Sequence, residues 1–311
     1  MRIMCIIPEK RDTVFWSEIE DGIRQEAEAE QIELSVIYTE TKSAVSSIGI
    51  NDALEIALLA RADAVILSYN DADENTNEAL LRARQEGIKI IFVDSDADSR
   101  LRDRYVGIDN EEAGYQLARY ALSQMEEGSV AFVPIMSNYN DKANFRARIE
   151  GIRKAFQDCP DRLTEYKVAS DSKIQRVAEI RAQLSEAAPV GALICCNEQV
   201  SVMGAQVLDS LAEGGTIGLY GFDRSGETEL LLQNGKLSAL VSQNNTDLGI
   251  ESVKAAVGLL GPEQEVADKD VADKEVEDKE VEDKEMANKE EEIHLVEFEL
   301  LTEGSGSYQG K

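Results

Sequence analysis

The chain has 311 residues, 61 Asp and Glu against 32 Lys and Arg, a formal net charge of -29, and 43% hydrophobic but only 5% aromatic residues. That length can bury two cores of ordinary domain size, and so strong a negative charge, offset by no clustered basic segment, excludes nucleic acid as a partner. No apolar run reaches the ~18 residues of a membrane span, and the apolar stretch at 2–7 is too short for a signal-peptide core.

From the first residue, short apolar runs alternate with amphipathic ones. Strands are expected at 3–7, 33–38, 64–68, 89–94 and 105–108, with helices at 15–30, 50–62, 74–86 and 111–126. Short apolar runs set between segments of helical period mark βαβ units and a parallel sheet. The order then starts again, with strands at 129–134, 163–169, 191–196 and 216–221 and helices at 144–157, 174–187 and 200–212. A short helix after Asp223 and a strand at 237–241, which delivers Gln243 at its end, close this second series.

The restart is visible in the letters. Ile19-Glu-Asp-Gly-Ile-Arg24 resembles Ile149-Glu-Gly-Ile-Arg153, and each follows a strand that carries a proline, Pro8 or Pro134. Ala64-Val-Ile-Leu-Ser68 corresponds to Ala192-Leu-Ile-Cys-Cys196; each leads through a helix and a Glu-Gly turn to a strand ending in aspartate, Asp94 or Asp223. The expected fold is therefore α/β, with two related lobes in tandem.

The tail departs from this order. A helix at 248–260 precedes five pentads of the type Val-Glu-Asp-Lys-Glu, and a period of five builds no single helical face. A solvated, highly charged insertion at 264–292 is expected, then one closing strand from 294 to 301 and a polar tail at 304–311. Cys5, Cys159, Cys195 and Cys196 show no CxxC spacing and read as free thiols. With His294 as the single histidine, a zinc site is not expected. Asp94-Ser-Asp-Ala-Asp98 opens like a calcium loop but lacks the glycine and the closing glutamate of one.

In open parallel sheets, ligands bind beyond the carboxyl ends of the strands. Asp94, Asp223 and Gln243 stand at such ends, though aspartate there also serves as a helix cap. Phe15-Trp16 opens a helix after the polar loop 9–13, so at most one of the two adjacent rings faces the core. Rings pack on the apolar C–H faces of a sugar, while carboxylates accept from its hydroxyls and arginine and asparagine donate to them. No dinucleotide or phosphate-loop glycine motif and no nucleophile elbow is present, so Asp94 and Asp223 read as hydroxyl-binding acids rather than a glycosidase pair.

Taken together, the doubled lobes, Phe15-Trp16, Arg146-Ala-Arg-Ile-Glu-Gly-Ile152, Asn197 after a strand, Gly221-Phe-Asp223 and Gly235-Lys-Leu leading to Gln243 resemble the sugar-binding proteins of bacterial ABC importers, most of all the ribose-binding type. That resemblance implies the periplasmic binding protein type I fold: two doubly wound parallel-sheet lobes, 1–109 with 245–263 and 110–244 with 293–303. It implies a hinge of three crossovers, near Asp109, near Asn244 and just before His294. Position by position, Phe15 and Trp16 match the family's aromatic pair, and Asp94 its first-lobe acid. Arg146, Asn197, Asp223 and Gln243 match the polar contacts of second lobe and hinge. Thr13 and Ser68 stand where the ribose-binding type has asparagines, and Ser95 where it has arginine, which shifts the expected ligand toward another pentose, a hexose or a modified sugar.

The function implied is that of a non-catalytic, cofactor-free monomer that closes on a monosaccharide or similar polyol and presents it to an ABC permease or membrane sensor. It would be extracytoplasmic, exported or lipid-anchored with its leader outside this sequence, or else cytoplasmic. The same fold serves as the effector domain of lac-repressor-like regulators, the alternative reading, which calls for a helix-turn-helix ahead of Arg2.

Overall fold

A computed structural model describes residues 1–8, 14–39, 48–69, 74–136, 142–187, 189–211, 214–261, 293–302 and 305–308. Thr13, the loop around it and the pentads at 264–292 lie outside the described residues.

In chain order the elements are β1 (Arg2–Pro8), α1 (Val14–Ala29), β2 (Glu33–Thr39), α2 (Ile50–Leu59), β3 (Ala64–Leu67), α3 (Glu74–Gln85), β4 (Lys89–Val93) and β5 (Arg104–Gly107). They continue with α4 (Asn110–Gln124), β6 (Val130–Met136), α5 (Ala143–Ala155), β7 (Leu163–Val168), α6 (Lys173–Glu186), β8 (Val190–Ile194), α7 (Glu198–Asp209) and β9 (Gly218–Phe222). Last come α8 (Gly226–Gln233), β10 (Ala239–Gln243), α9 (Asn245–Leu260), β11 (Ile293–Leu295), β12 (Phe298–Thr302) and β13 (Ser305–Tyr308).

The described residues divide into two compact units. One takes those within Met1–Arg11, Trp16–Gly107 and Asn245–Val296; the other takes those within Asp12–Phe15, Ile108–Asn244 and Glu297–Lys311. The first unit's sheet runs β11-β5-β4-β3-β1-β2, parallel throughout. Its central strands β3 and β4 are almost continuously buried apolar runs, as a sheet covered on both faces requires, whereas the edge strand β2 alternates. The second unit's sheet runs β13-β12-β10-β9-β8-β6-β7, parallel from β7 to β10, with β12 and β13 antiparallel. Its edge strand β7 carries exposed Glu165 and Lys167, charges that discourage pairing with another chain.

Each unit contains one unusually close helix pair. In the second unit α4 crosses α5 with Gly114 against the Arg148 carbonyl and Gly151 against the Glu111 carbonyl, so that a methyl group on either glycine would overlap backbone. The first unit repeats the device, with Gly22 of α1 against the Thr246 carbonyl and Gly249 of α9 against that of Ile19. The repeated Ile-Glu-Gly-Ile-Arg signature thus has a physical content, because Gly22 and Gly151 are its glycines. Each gives up helix propensity, about 1 kcal/mol against alanine, for a backbone-to-backbone crossing.

Two expectations for the tail are corrected. The single closing strand at 294–301 is two strands: β11 pairs with β5 in the first sheet, β12 with β10 in the second. Val296 ends the first of these, its N–H donating to the Gly107 carbonyl, so the closing segment assigned to one lobe is shared between the units at 296–297. The stretch read as a polar tail includes β13, which pairs Tyr308 with Leu300 and Ser305 with Thr302 as the return arm of a hairpin. The four cysteines are free; Cys5, Cys195 and Cys196 are buried and Cys159 partly so. Among the described residues, no helix is long and apolar enough to cross a membrane.

Gly258, by contrast, lies in α9 with nothing near the position of a Cβ. Gly151→Ala is therefore expected to destabilise the protein by about 1–3 kcal/mol through overpacking, while Gly258→Ala stabilises it by about 0.5–1 kcal/mol. Urea unfolding followed by circular dichroism reads both; equal effects of the two substitutions would show that the crossing is not close-packed.

Candidate functional site

In the first unit, the ends of β3 and β4 bring Ser68, Asp94 and Ser95 onto neighbouring strands. Ser68 is buried, and its N–H extends the sheet by donating to the Ile6 carbonyl at 3.1 Å. Asp94 has φ 69°, a left-handed backbone that a non-glycine residue adopts at a cost. The Ser95 N–H donates to the Val93 carbonyl at 2.9 Å across it, closing a tight three-residue turn. That turn is held from two sides: the Asp94 N–H donates to the Val106 carbonyl at 3.0 Å, and its own carbonyl accepts from the Tyr105 hydroxyl at 3.0 Å. Below it, buried Arg102 forms a bidentate pair with Asp96 (2.5 and 2.8 Å) and lies 5.8 Å from the Tyr105 ring centre. Phe15, counted with the second unit, and Trp16, counted with the first, stand in the first turn of α1, both half-buried.

Within the run 94–98, two carboxylates are engaged by arginines. Asp96 is taken by Arg102, and Arg100 grips Asp98 with side chain and backbone, holding its carboxyl down at about 2.

In the second unit, the ends of β8, β9 and β10 bring Asn197, Asp223 and Gln243 together. Asp223 repeats the geometry of Asp94: φ 69°, its N–H donating to the carbonyl of the next strand (Val241, 2.9 Å), its own carbonyl accepting from a hydroxyl (Thr228, 3.1 Å). Its carboxylate accepts from Gln243 Nε2 at 2.8 Å on one oxygen and faces Arg148 Nη1 at 3.5 Å on the other. Arg148 is 2% exposed. Its Nε donates to Asn110 Oδ1 at 2.8 Å, its Nη1 to the Cys196 carbonyl at 2.7 Å, and its plane lies 4.3 Å from the Phe222 ring centre. A buried cation is tolerated only when paired and hydrogen-bonded, and here it has the Asp223 carboxylate nearby and two oxygens that accept from it. With Nε and Nη1 engaged, the Nη2 hydrogens are the fork's remaining donors.

Burial raises the carboxyl of Glu198, next to Asn197; a hydrogen bond with Ser225 opposes the rise, and the charges of Asp223 and Glu227 add to it. Burial likewise pushes the Cys196 thiol up to about 12, so it stays protonated and is a poor nucleophile.

The structure separates what the sequence grouped. Arg146 is exposed on α5, two positions from Arg148, and it is Arg148 that reaches Asp223. The overlooked signal was periodic: Asn144, Arg148 and Ile152 recur at four-residue spacing on the buried face of α5, where an arginine needs a partner. Asn197 uses its side-chain oxygen to cap α7, accepting from Val200 N–H at 2.8 Å.

The sequence profile of the periplasmic binding protein domain family matches residues 3–264. The ribose import binding protein RbsB of Escherichia coli is 21% identical over 261 residues, 84% of this chain and 86% of that one. The D-allose-binding periplasmic protein of the same organism is 24% identical over 186 residues, 57% of this chain and 59% of that one. Among solved structures, the glucose-galactose binding protein GanP from Geobacillus stearothermophilus superposes with a TM-score of 0.74 at 21% identity, covering 97% of each chain. At that identity the likeness to GanP shows the fold.

The turn at Asp94 generates a test of its own. Both Asp94→Gly and Asp94→Val delete the carboxylate, but only valine must hold a β-branched side chain at positive φ. The valine variant is expected to be less stable than the glycine variant by about 1–3 kcal/mol in urea unfolding; equal stabilities would mean that the turn relaxes without cost.

Proposed function

Because the chain belongs to the periplasmic binding protein domain family, we propose that it is a non-catalytic receptor whose two units close on a monosaccharide or similar polyol. In this reading it is extracytoplasmic and presents its cargo to an ABC permease or a membrane sensor. The observation that carries the reading is the Arg148–Asp223–Gln243 cluster beyond the strand ends of the second unit, with Arg148 and Gln243 buried and Asp223 partly so. A neutral polyol offers hydroxyls that donate and accept at once, and this cluster mixes carboxylate acceptors with guanidinium and amide donors.

The residues assigned to the ligand are Phe15 and Trp16 for its apolar face and Ser68, Asp94, Ser95, Asn197, Asp223 and Gln243 for its hydroxyls. Thr13 keeps the role implied by the resemblance, and Arg148 takes the one given to Arg146. Hydrogen bonds to charged groups contribute roughly 1.5–3 kcal/mol each, so a handful suffices to orient a ligand of this size. Closure is driven only by the ligand's preference for the closed state. The names of relatives at low identity support a sugar as the class of ligand: ribose for RbsB, D-allose for the second relative.

Calorimetry against pentoses, hexoses and polyols is expected to find at least one ligand. Asp223→Asn, which keeps the shape and removes the charge, is expected to weaken that ligand about tenfold to a hundredfold. Absence of heat with every member of the panel would remove the sugar assignment.

A further inference from the structure

We infer that the second unit carries a seat for a methyl group, which makes the preferred ligand a deoxy-sugar rather than its hydroxymethyl parent. This deepens the sugar-binding reading and rests on it. The seat is a recess of about 10 Å³ lined by Pro134, Met136, Phe145, Ile149, Cys196 and Val200 among others. It lies where β6 and β8 end and α5 and α7 begin, the same end of the sheet that presents Asp223 and Gln243.

Its connection to the polar cluster is direct. Ile149 follows Arg148 in the chain, Phe145 has the Arg148 guanidinium 5.6 Å from its ring centre, and the carbonyl of Cys196 accepts from Arg148 Nη1. A sugar hydrogen-bonded to Arg148 and Asp223 therefore has an apolar recess beside it.

The size and chemistry of the recess select its occupant. It has room for one methyl- or water-sized group. A water there needs two to four polar partners, yet the described lining side chains are apolar apart from the thiol of Cys196, a weak donor, and the Cys196 carbonyl already accepts from Arg148. A hydroxymethyl group is larger by an oxygen, and among the described lining side chains its hydroxyl would find only the weak thiol of Cys196. A methyl group fills the space and asks for none.

The test uses sugar pairs that differ only by that oxygen: D-galactose with D-fucose, L-galactose with L-fucose, D-glucose with 6-deoxy-D-glucose, and L-mannose with L-rhamnose. By calorimetry on the wild-type chain, the tightest ligand is expected to be a methyl-bearing member that binds about tenfold or more tightly than its partner. Val200→Thr, which keeps the shape and places a hydroxyl in the lining, is expected to reduce that preference to about threefold or less. If the hydroxymethyl member binds as well or better in every pair that binds, the methyl seat is overturned while the sugar reading stands. The seat is overturned in the same way if Val200→Thr, folded by circular dichroism, leaves the preference intact. If none of these sugars binds, the seat is overturned, and the sugar reading is decided by the wider panel of pentoses, hexoses and polyols.

Discussion

The arrangement of the candidate site depends on one contact, the crossing of α4 and α5 on Gly114 and Gly151. Backbone meets backbone there, and the carbonyl against Gly114 is that of Arg148 itself. The crossing therefore fixes the stem of the arginine at the closest point between two helices. From that point its head reaches Asn110 at the start of α4, the carbonyl of Cys196 after β8, and Asp223 after β9. Three elements distant in sequence meet on one guanidinium. Stripped of those partners, Arg148 would be an uncompensated buried charge, which costs about 3–5 kcal/mol, so site and core stand or fall together.

The two units use the same strained aspartate for the same purpose. Asp94 and Asp223 share a φ of 69° where glycine would be easier, and in each case a neighbouring strand takes the N–H and a hydroxyl takes the carbonyl. The hydroxyls come from different places, a tyrosine on β5 in one unit and a threonine on α8 in the other. The geometry is thus reproduced by unlike supports.

The alternation of strands and helices, the doubling and the aspartates at strand ends were all legible in the sequence, because buried parallel strands and amphipathic helices leave opposite periodicities. What escaped was tertiary. Choosing Arg148 over Arg146 requires knowing which face of α5 is buried, and the family pattern spans both. The segment from 293 to 302 reads as one alternating strand, but two sheets compete for it and Val296 is drawn to the Gly107 carbonyl. β13 escaped because its polar letters carry no hydrophobic signal; pairing with β12 supplies what composition does not. Asn197 shows a subtler limit, since a ligand contact and a helix cap favour the same residue at the same place.

The buried thiols have a consequence for how the molecule tolerates its surroundings. Desolvation keeps Cys5 in the first unit, and Cys195 and Cys196 in the second, protonated far above neutral pH. Only a thiolate attacks an oxidant or forms a mixed disulfide, so an oxidising environment leaves the fully buried Cys5 and Cys195 untouched while the chain stays folded. Each of these two becomes reactive when its own half opens, and the pace of alkylation at Cys5 against that at Cys195 would time the two openings separately.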